Sequence, residues 1–217
     1  MSLGTLYIRE GSGRKTAPLA IIKALNLDVK VVTNPDEDPE FKKNFPLSKI
    51  PAFVGADGFA LHELIAISYY LAGLSEDGSK LIGKTLKERA DILRWISFAN
   101  SDLWGSLREI ILPLVGRLPY TPETHAAAIA ASARFVDYFE AHLENKSYIV
   151  GDHATVADYV TVGLLEVAFK TIWDKEFLSK HKGIKNWFDT VINEKPLSEI
   201  YETPYKYRDE ALKYTPK

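Results

Sequence analysis

The stretch Leu47-Ser48-Lys49-Ile50-Pro51-Ala52-Phe53-Val54 carries the strongest candidate for binding chemistry in this chain. Ile50 runs into a proline that opens an apolar, strand-like run. A residue before proline is pushed to extended geometry, and the proline itself offers a sheet no backbone donor. A cis Ile50–Pro51 bond would turn the Ile50 N–H and C=O outward, where a peptide-like molecule could pair with them as a strand does. A trans proline at a sheet edge is the alternative. In folded proteins about 5–6% of X–Pro bonds are cis, so the spacing leaves both open.

Three other chemistries fail on spacing. Gly11-Ser12-Gly13-Arg14-Lys15-Thr16 resembles the tail of a phosphate-binding loop. That motif needs glycine directly before Lys-Ser/Thr and a second glycine five residues earlier; Arg14 intervenes, and Ile8 stands where the earlier glycine belongs. Ser12 lacks the flanking glycines of a nucleophile elbow, having Glu10 and Arg14 instead. His62, His125, His142, His153 and His181 show no helical ligand spacing, so no zinc site is expected and they read as surface residues. The chain has no cysteine, which removes disulfides, thiolate metal sites and a cysteine nucleophile.

The elements that must hold Ile50 follow from periodicity. Leu3 to Ile8 reads as a strand. Thr16 is expected to cap a helix with Pro18 in its first turn, and Pro18, Ile21, Ile22 and Leu25 make its apolar stripe. Asn26 marks its stop, and Leu27, Val29 and Val31 alternate along a second strand. Asn34 to Pro39 is a loop and Glu40 to Phe45 a short helix. The Pro51 strand, a turn at Ala56-Asp57-Gly58, a strand over Phe59 to Leu61 and a helix through Leu64, Ile67, Leu71 and Leu74 complete a small α/β unit. Its bounds are 1–75, with a linker over 76–84.

Residues 85–217 read as all helical. Ile92, Ile96, Ala99 and Leu103 form one face of a long helix, bent or ended near Gly105 and Pro113. Thr121-Pro122 starts another, carrying Phe135, Phe139 and Leu143. Thr155 and Asp158 form a capping box ahead of Val156, Tyr159, Val160, Gly163, Leu164 and Val167, a buried core helix with a structural role. Ile184, Trp187, Phe188, Val191 and Ile192 mark a last helix, with Pro196 past its end. With 217 residues, 46% of them hydrophobic, the chain has enough apolar material for a sizeable core. Lys plus Arg number 27 and Asp plus Glu 29, a net charge of −2, which suggests neither a nucleic-acid footprint nor a polybasic membrane patch. There is no apolar run near 18 residues and no signal peptide at Met1–Glu10. A soluble cytoplasmic protein is expected.

This arrangement, with Ile-Pro before the third strand and Thr155-Val156-Ala157-Asp158 in the helical half, resembles the cytosolic glutathione transferase superfamily along essentially the whole chain. The resemblance implies a thioredoxin-like N-terminal domain with a mixed four-stranded sheet, followed by an all-helical domain. Gly4-Thr5-Leu6-Tyr7, Phe45-Pro46, Ile50-Pro51-Ala52-Phe53, the Glu63, Ala66-Ile67 and Tyr69-Tyr70 pattern, and Trp95 with Phe98-Ala99-Asn100-Ser101-Asp102 are similar to the N-terminal domain of the gamma subunits of translation elongation factor one.

The resemblance implies a cis Pro51, with Ile50 pairing its backbone to the cysteinyl part of glutathione. Lys49 would face the glycyl carboxylate and Glu63 the γ-glutamyl ammonium. Without it, Lys49 reads as a solvated loop charge and Glu63 as an acid favoured by a helix dipole. Leu64 stands where most of the superfamily carries Ser or Thr to hold the γ-glutamyl carboxylate. Its N–H at a helix start still attracts an anion, but the lost hydroxyl implies weak glutathione binding. Tyr7, Ser12 and Arg14 are the candidates to stabilise a thiolate, with a packed core aromatic as the alternative for Tyr7. Trp104, Arg108, Ile111 and Tyr120 could line an acceptor pocket or be ordinary core.

Two functions follow. One is a transferase adding the glutathione thiolate to an electrophilic small molecule; the end at Lys217 favours this. The other is a non-catalytic scaffold that anchors the elongation factor's exchange subunit, which Leu64 favours. A homodimer pairing the α/β unit of one chain with the helical half of the other is implied in either case.

Overall fold

The structure is a computed structural model describing residues 2–215. Met1, Pro216 and Lys217, which fall inside the sequence-based domain bounds, lie outside the described residues.

Strands β1 (Gly4–Tyr7), β2 (Val29–Val32), β3 (Ala52–Gly55) and β4 (Ala60–His62) form one mixed sheet in the order β2-β1-β3-β4. The parallel β1–β2 pair is joined by helix α1 (Thr16–Ala24), and β3 runs antiparallel to both β1 and β4. Helix α2 (Pro39–Asn44) is capped by the Asp38 carboxylate, which accepts the Glu40 and Phe41 N–H groups. Helix α3 (Leu64–Gly73) follows β4 directly. The expected thioredoxin-like unit is present.

One local expectation is corrected. Thr16 does not cap α1: a 3-10 turn at Gly13–Lys15 precedes the helix, and the Thr16 hydroxyl instead meets the Tyr201 hydroxyl at 2.6 Å. Val31 is exposed, because β2 is an edge strand whose faces are only partly covered. The stretch over 76–84 holds a 3-10 turn (Glu76–Gly78) and a short helix α4 (Ser79–Ile82).

The helical half starts with α5 (Leu86–Ser97), which has its own Thr85/Glu88 capping box. A π-helical segment (Phe98–Leu103) links α5 to α6 (Trp104–Leu114). The expected stripe Ile92, Ile96, Ala99 and Leu103 is buried throughout, but the irregular turn precedes Gly105. Then come α7 (Pro122–Leu143), capped by Thr121, α8 (Val156–Thr171), α9 (Lys175–Lys180) and α10 (Lys182–Asn193). Helix α8 is the central core element. Its Asp158 is fully buried and accepts from the Ile149 N–H (2.9 Å), the Trp187 indole (2.9 Å), and the Thr155 N–H (2.8 Å) and hydroxyl (3.1 Å).

The histidines are not all surface residues. His142 stacks on Trp95 with ring centroids 3.7 Å apart, while its Nε2 meets the Ile149 carbonyl at 2.8 Å. One apolar core runs through both halves, joining Leu6, Phe53 and Ile67 to Ile96, Val160 and Trp187. No helix among the described residues is long and apolar enough to cross a membrane.

Candidate functional site

The sheet register gathers three segments at one end. Tyr7 pairs with Ala52, and Ala52 pairs with His62. Both pairings are antiparallel, so the chain leaving β1, the chain entering β3 and the chain leaving β4 share one edge. Residues 8–15, Lys49-Ile50-Pro51 and Glu63-Leu64 are therefore neighbours by topology.

The Ile50–Pro51 peptide is cis and Pro51 is buried. Among the described residues, neither the N–H nor the C=O of Ile50 has a hydrogen-bond partner. The half-buried Ile50 thus leaves one donor and one acceptor side by side. Buried backbone groups are nearly always paired, so an open pair on a sheet end is a ready place for an extended peptide. Lys49, exposed beside it, has no ion-pair partner among the described residues.

Glu63 occupies the N-cap of α3 at φ 77° and ψ 122°, with no side-chain cap hydrogen bond. A non-glycine residue held there is a strained outlier of the kind that clusters at functional sites. The side chain is exposed, while Leu64 is 3% exposed and packs into the main core. The helix start therefore offers backbone N–H groups but no hydroxyl at position 64.

Ser12 and Arg14 belong to the turn before α1, which is pressed against α8 at Gly163 with no room for a side chain on either backbone. The Arg14 guanidinium reaches across the halves, its Nη1 donating to Asn100 Oδ1 at 3.3 Å. Burial lowers its pKa, and the nearby Glu63 carboxylate opposes that shift. Arg14 and Asn100 thus make a polar contact between the two halves, with the exposed Glu63 carboxylate acting on Arg14 through its charge. The Ser12 hydroxyl makes no hydrogen bond among the described residues and lines a cleft of about 430 Å³. Gly11, Arg14, Trp104, Ile111, Glu166 and Lys170 contribute to its walls.

Tyr7 is not brought to this cleft. Its ring is 3% exposed on the α2 side of the sheet, packed with Phe41 and Phe45 at centroid distances of 5.2 and 6.2 Å. Burial raises the Tyr7 hydroxyl pKa, and the Asp38 carboxylate raises it further. A phenol so placed is a poor thiolate stabiliser. Two of the four expected acceptor residues, Trp104 and Ile111, line the cleft. Arg108 is exposed and paired with Glu109, and Tyr120 stacks on Tyr214 at 3.8 Å.

Asn100 and Gly163 escaped the sequence reading as site residues. Glycine inside an apolar helix costs roughly 1 kcal/mol, which is the signal that a close approach occurs at Gly163. Nothing in the spacing marks Asn100, because the π-helical segment that carries it breaks the helical period.

Comparison with known proteins gives this geometry a family. Residues 2–73 match the glutathione S-transferase N-terminal domain, and residues 104–195 match the glutathione S-transferase C-terminal domain. The chain is 34% identical over 194 residues to glutathione S-transferase stcT of Emericella nidulans, covering 88% of each. The chain belongs to the glutathione S-transferase family. Within it, the similarity to elongation factor 1-gamma is marked. Elongation factor 1-gamma 1 of Saccharomyces cerevisiae is 38% identical over 98% of this chain, which spans 52% of that protein's length. The crystal structure of the GST-like domain of Saccharomyces cerevisiae elongation factor 1-gamma superimposes with a TM-score of 0.91 at 38% identity, covering 100% of both chains. This member of the family thus pairs a fold like that of the elongation factor 1-gamma GST-like domain with a leucine at the start of α3.

Proposed function

We propose that this chain binds glutathione weakly and adds its thiolate to an electrophilic small molecule. The observation that carries the reading is the unpaired Ile50 N–H and C=O at the sheet end where Glu63, Leu64 and the 8–15 loop converge. Residues 1–75 form the glutathione-binding unit and residues 85–217 the helical unit against which the electrophile rests.

Ile50 takes the cysteinyl backbone as an added strand. Lys49 faces the glycyl carboxylate, Glu63 the γ-glutamyl ammonium, and the Leu64 N–H the γ-glutamyl carboxylate at the helix start. The absent hydroxyl removes a hydrogen bond to a charged group, about 1.5–3 kcal/mol, or roughly 10- to 150-fold in affinity.

Ser12 and Arg14 are the thiolate donors of this proposal, through a hydroxyl hydrogen bond and a positive field. With an aryl chloride, the thiol loses its proton to solvent and the thiolate forms a C–S bond. Chloride leaves with the electrons of the broken C–Cl bond. Trp104 and Ile111 supply apolar contact for the ring. The working form is a cytoplasmic homodimer, and light scattering that shows only monomer at micromolar concentration contradicts that part.

The test is conjugation of glutathione to chlorodinitrobenzene. Ser12→Ala and Arg14→Ala are expected to slow turnover, and Tyr7→Phe to leave it unchanged. Turnover that none of the three alters removes these assignments. The second reading is the scaffold role, which Leu64 and the likeness to elongation factor 1-gamma support. Absence of turnover with retained binding of the elongation factor's exchange subunit decides for it.

A further inference from the structure

Helix α6 has two lined faces. Ile111 and Leu112, with Val115 just past the helix end, line the cleft described above, while Leu107, Ile110 and Leu114 line a second cavity of about 380 Å³ in the helical half, open to solvent on one side. Helix α7 supplies Ile129 and Val136, and the α8–α9 junction supplies Ile172 and Trp173. The C-terminal segment closes one side. Its Ala211 N–H donates to Asp174 (3.0 Å) and its Leu212 N–H to the Thr171 carbonyl (2.7 Å).

Two features give this cavity a chemistry. The first is a ladder of rings. Trp173 and Phe177 stack at 5.0 Å and 6°, and Phe177 and His181 at 3.9 Å and 16°; all three line the space. The second is the polarity of what remains unbonded. Ser132 spends its proton on the Ile129 carbonyl at 2.9 Å, so its oxygen is left to accept. His181 Nδ1 lies 2.8 Å from the Phe177 carbonyl. A carbonyl only accepts, so Nδ1 carries the proton, and Nε2 of the neutral ring is an acceptor. Asp137 is an exposed carboxylate with no hydrogen-bond or ion-pair partner among the described residues. Ser132, Asp137 and His181 line the cavity and offer lone pairs, and His125 lines it with a buried Nδ1 that has no hydrogen-bond partner among the described residues. A mostly apolar pocket with a few convergent polar groups is the usual form of a small-molecule site.

We propose that this cavity binds a small planar aromatic molecule bearing a hydroxyl donor, a phenol or naphthol, independently of glutathione. The edge of Phe177, whose faces are covered by the buried Trp173 and by His181, and the side chains of Leu114, Ile129 and Ile172 supply apolar contact, and the ligand O–H donates to Asp137 or His181. The site is separated from the Ser12 cleft by α6, so its occupation does not depend on the transferase reading.

The test is calorimetric titration of the whole protein with 2-naphthol and with 2-methoxynaphthalene, which keeps the rings and loses the donor. 2-Naphthol is expected to bind at least about tenfold more tightly than the ether. Ala133→Trp, at an exposed cavity-lining position, is expected to abolish binding, with the fold checked by circular dichroism. Asp137→Leu is expected to narrow the difference between the two probes. Val115→Trp, in the other cleft, is expected to leave both affinities unchanged. Equal affinity for the two probes overturns the donor assignment. Binding that survives Ala133→Trp, falls with Val115→Trp, or is absent up to the solubility limit of 2-naphthol overturns the site.

Discussion

A Cβ built on Gly163 falls 2.3 Å from the Gly13 carbonyl oxygen, and one built on Gly13 falls 1.9 Å from the Gly163 carbonyl oxygen. The turn that carries Ser12 and Arg14 therefore touches the core helix of the other half backbone to backbone. This contact sets where Arg14 can reach. Gly163→Ala would raise the helix propensity of α8 by about 1 kcal/mol, yet the clash with fixed backbone dominates. The expected result is a net loss of about 1–3 kcal/mol, the usual cost of overpacking, in urea unfolding. Equal or greater stability would show that the two backbones move apart freely.

Leu64 couples affinity to stability. Leu64→Ser restores a hydroxyl beside the proposed γ-glutamyl carboxylate and removes a side chain from the core. Glutathione affinity should rise at least about tenfold, while unfolding free energy falls by about 2–5 kcal/mol, as for large-to-small core changes. Calorimetry and denaturation on one sample read both. Unchanged affinity would mean that the γ-glutamyl group does not lie at the α3 start.

Asp158 meets four donors and no acceptor. Asparagine at this position must turn its NH₂ toward either the Ile149 and Trp187 donors or the Thr155 donors. Asp158→Asn should therefore cost nearly as much as Asp158→Ala, about 3–5 kcal/mol, as expected when a buried polar network loses a partner. A near-neutral Asp158→Asn variant would contradict the hydrogen-bond assignment.

Much of this was legible because the signals were local. The Thr155/Asp158 box and the Ile92–Leu103 stripe rest on residues within about three helical turns of one another, whereas the cis form of Ile50–Pro51 followed only from the family resemblance. The convergence of Ile50 with Glu63 and the 8–15 loop needed only strand order and direction. Tyr7 was ambiguous because a strand residue's face depends on register: the shift of one residue that separates it from Leu6 and Ile8 sends it to α2 instead of the main core. Asn100 was invisible because a π-helical turn has no period to read, and Arg14 was left without a partner until the halves were packed together.

His142 makes stability depend on pH. Its Nε2–H donates to the Ile149 carbonyl, and its Nδ1 accepts from Lys146 at 3.2 Å. Burial lowers its pKa below the usual histidine value near 6.5, with Lys146 adding to the shift. The unfolded chain therefore takes up the proton first as pH falls. The contribution is complete above about pH 6.5 and is lost as pH drops through the folded-state value. His142→Phe keeps the stack on Trp95 and should flatten the difference in unfolding free energy between pH 7.5 and 5. A variant with the same slope as the parent would place the titration elsewhere.

The most direct measurement is a crystal of the protein soaked in glutathione at several times its calorimetric dissociation constant. The tripeptide should lie antiparallel to the chain at Ile50, bonded to both backbone groups, with its γ-glutamyl end at Glu63 and the Leu64 N–H and its sulfur toward Ser12 and Arg14. The dissociation constant should lie above the low micromolar range. Tight binding at this site would contradict the role given to Leu64. Glutathione bound elsewhere, or an Ile50 backbone left unengaged at saturation, would contradict the account as a whole.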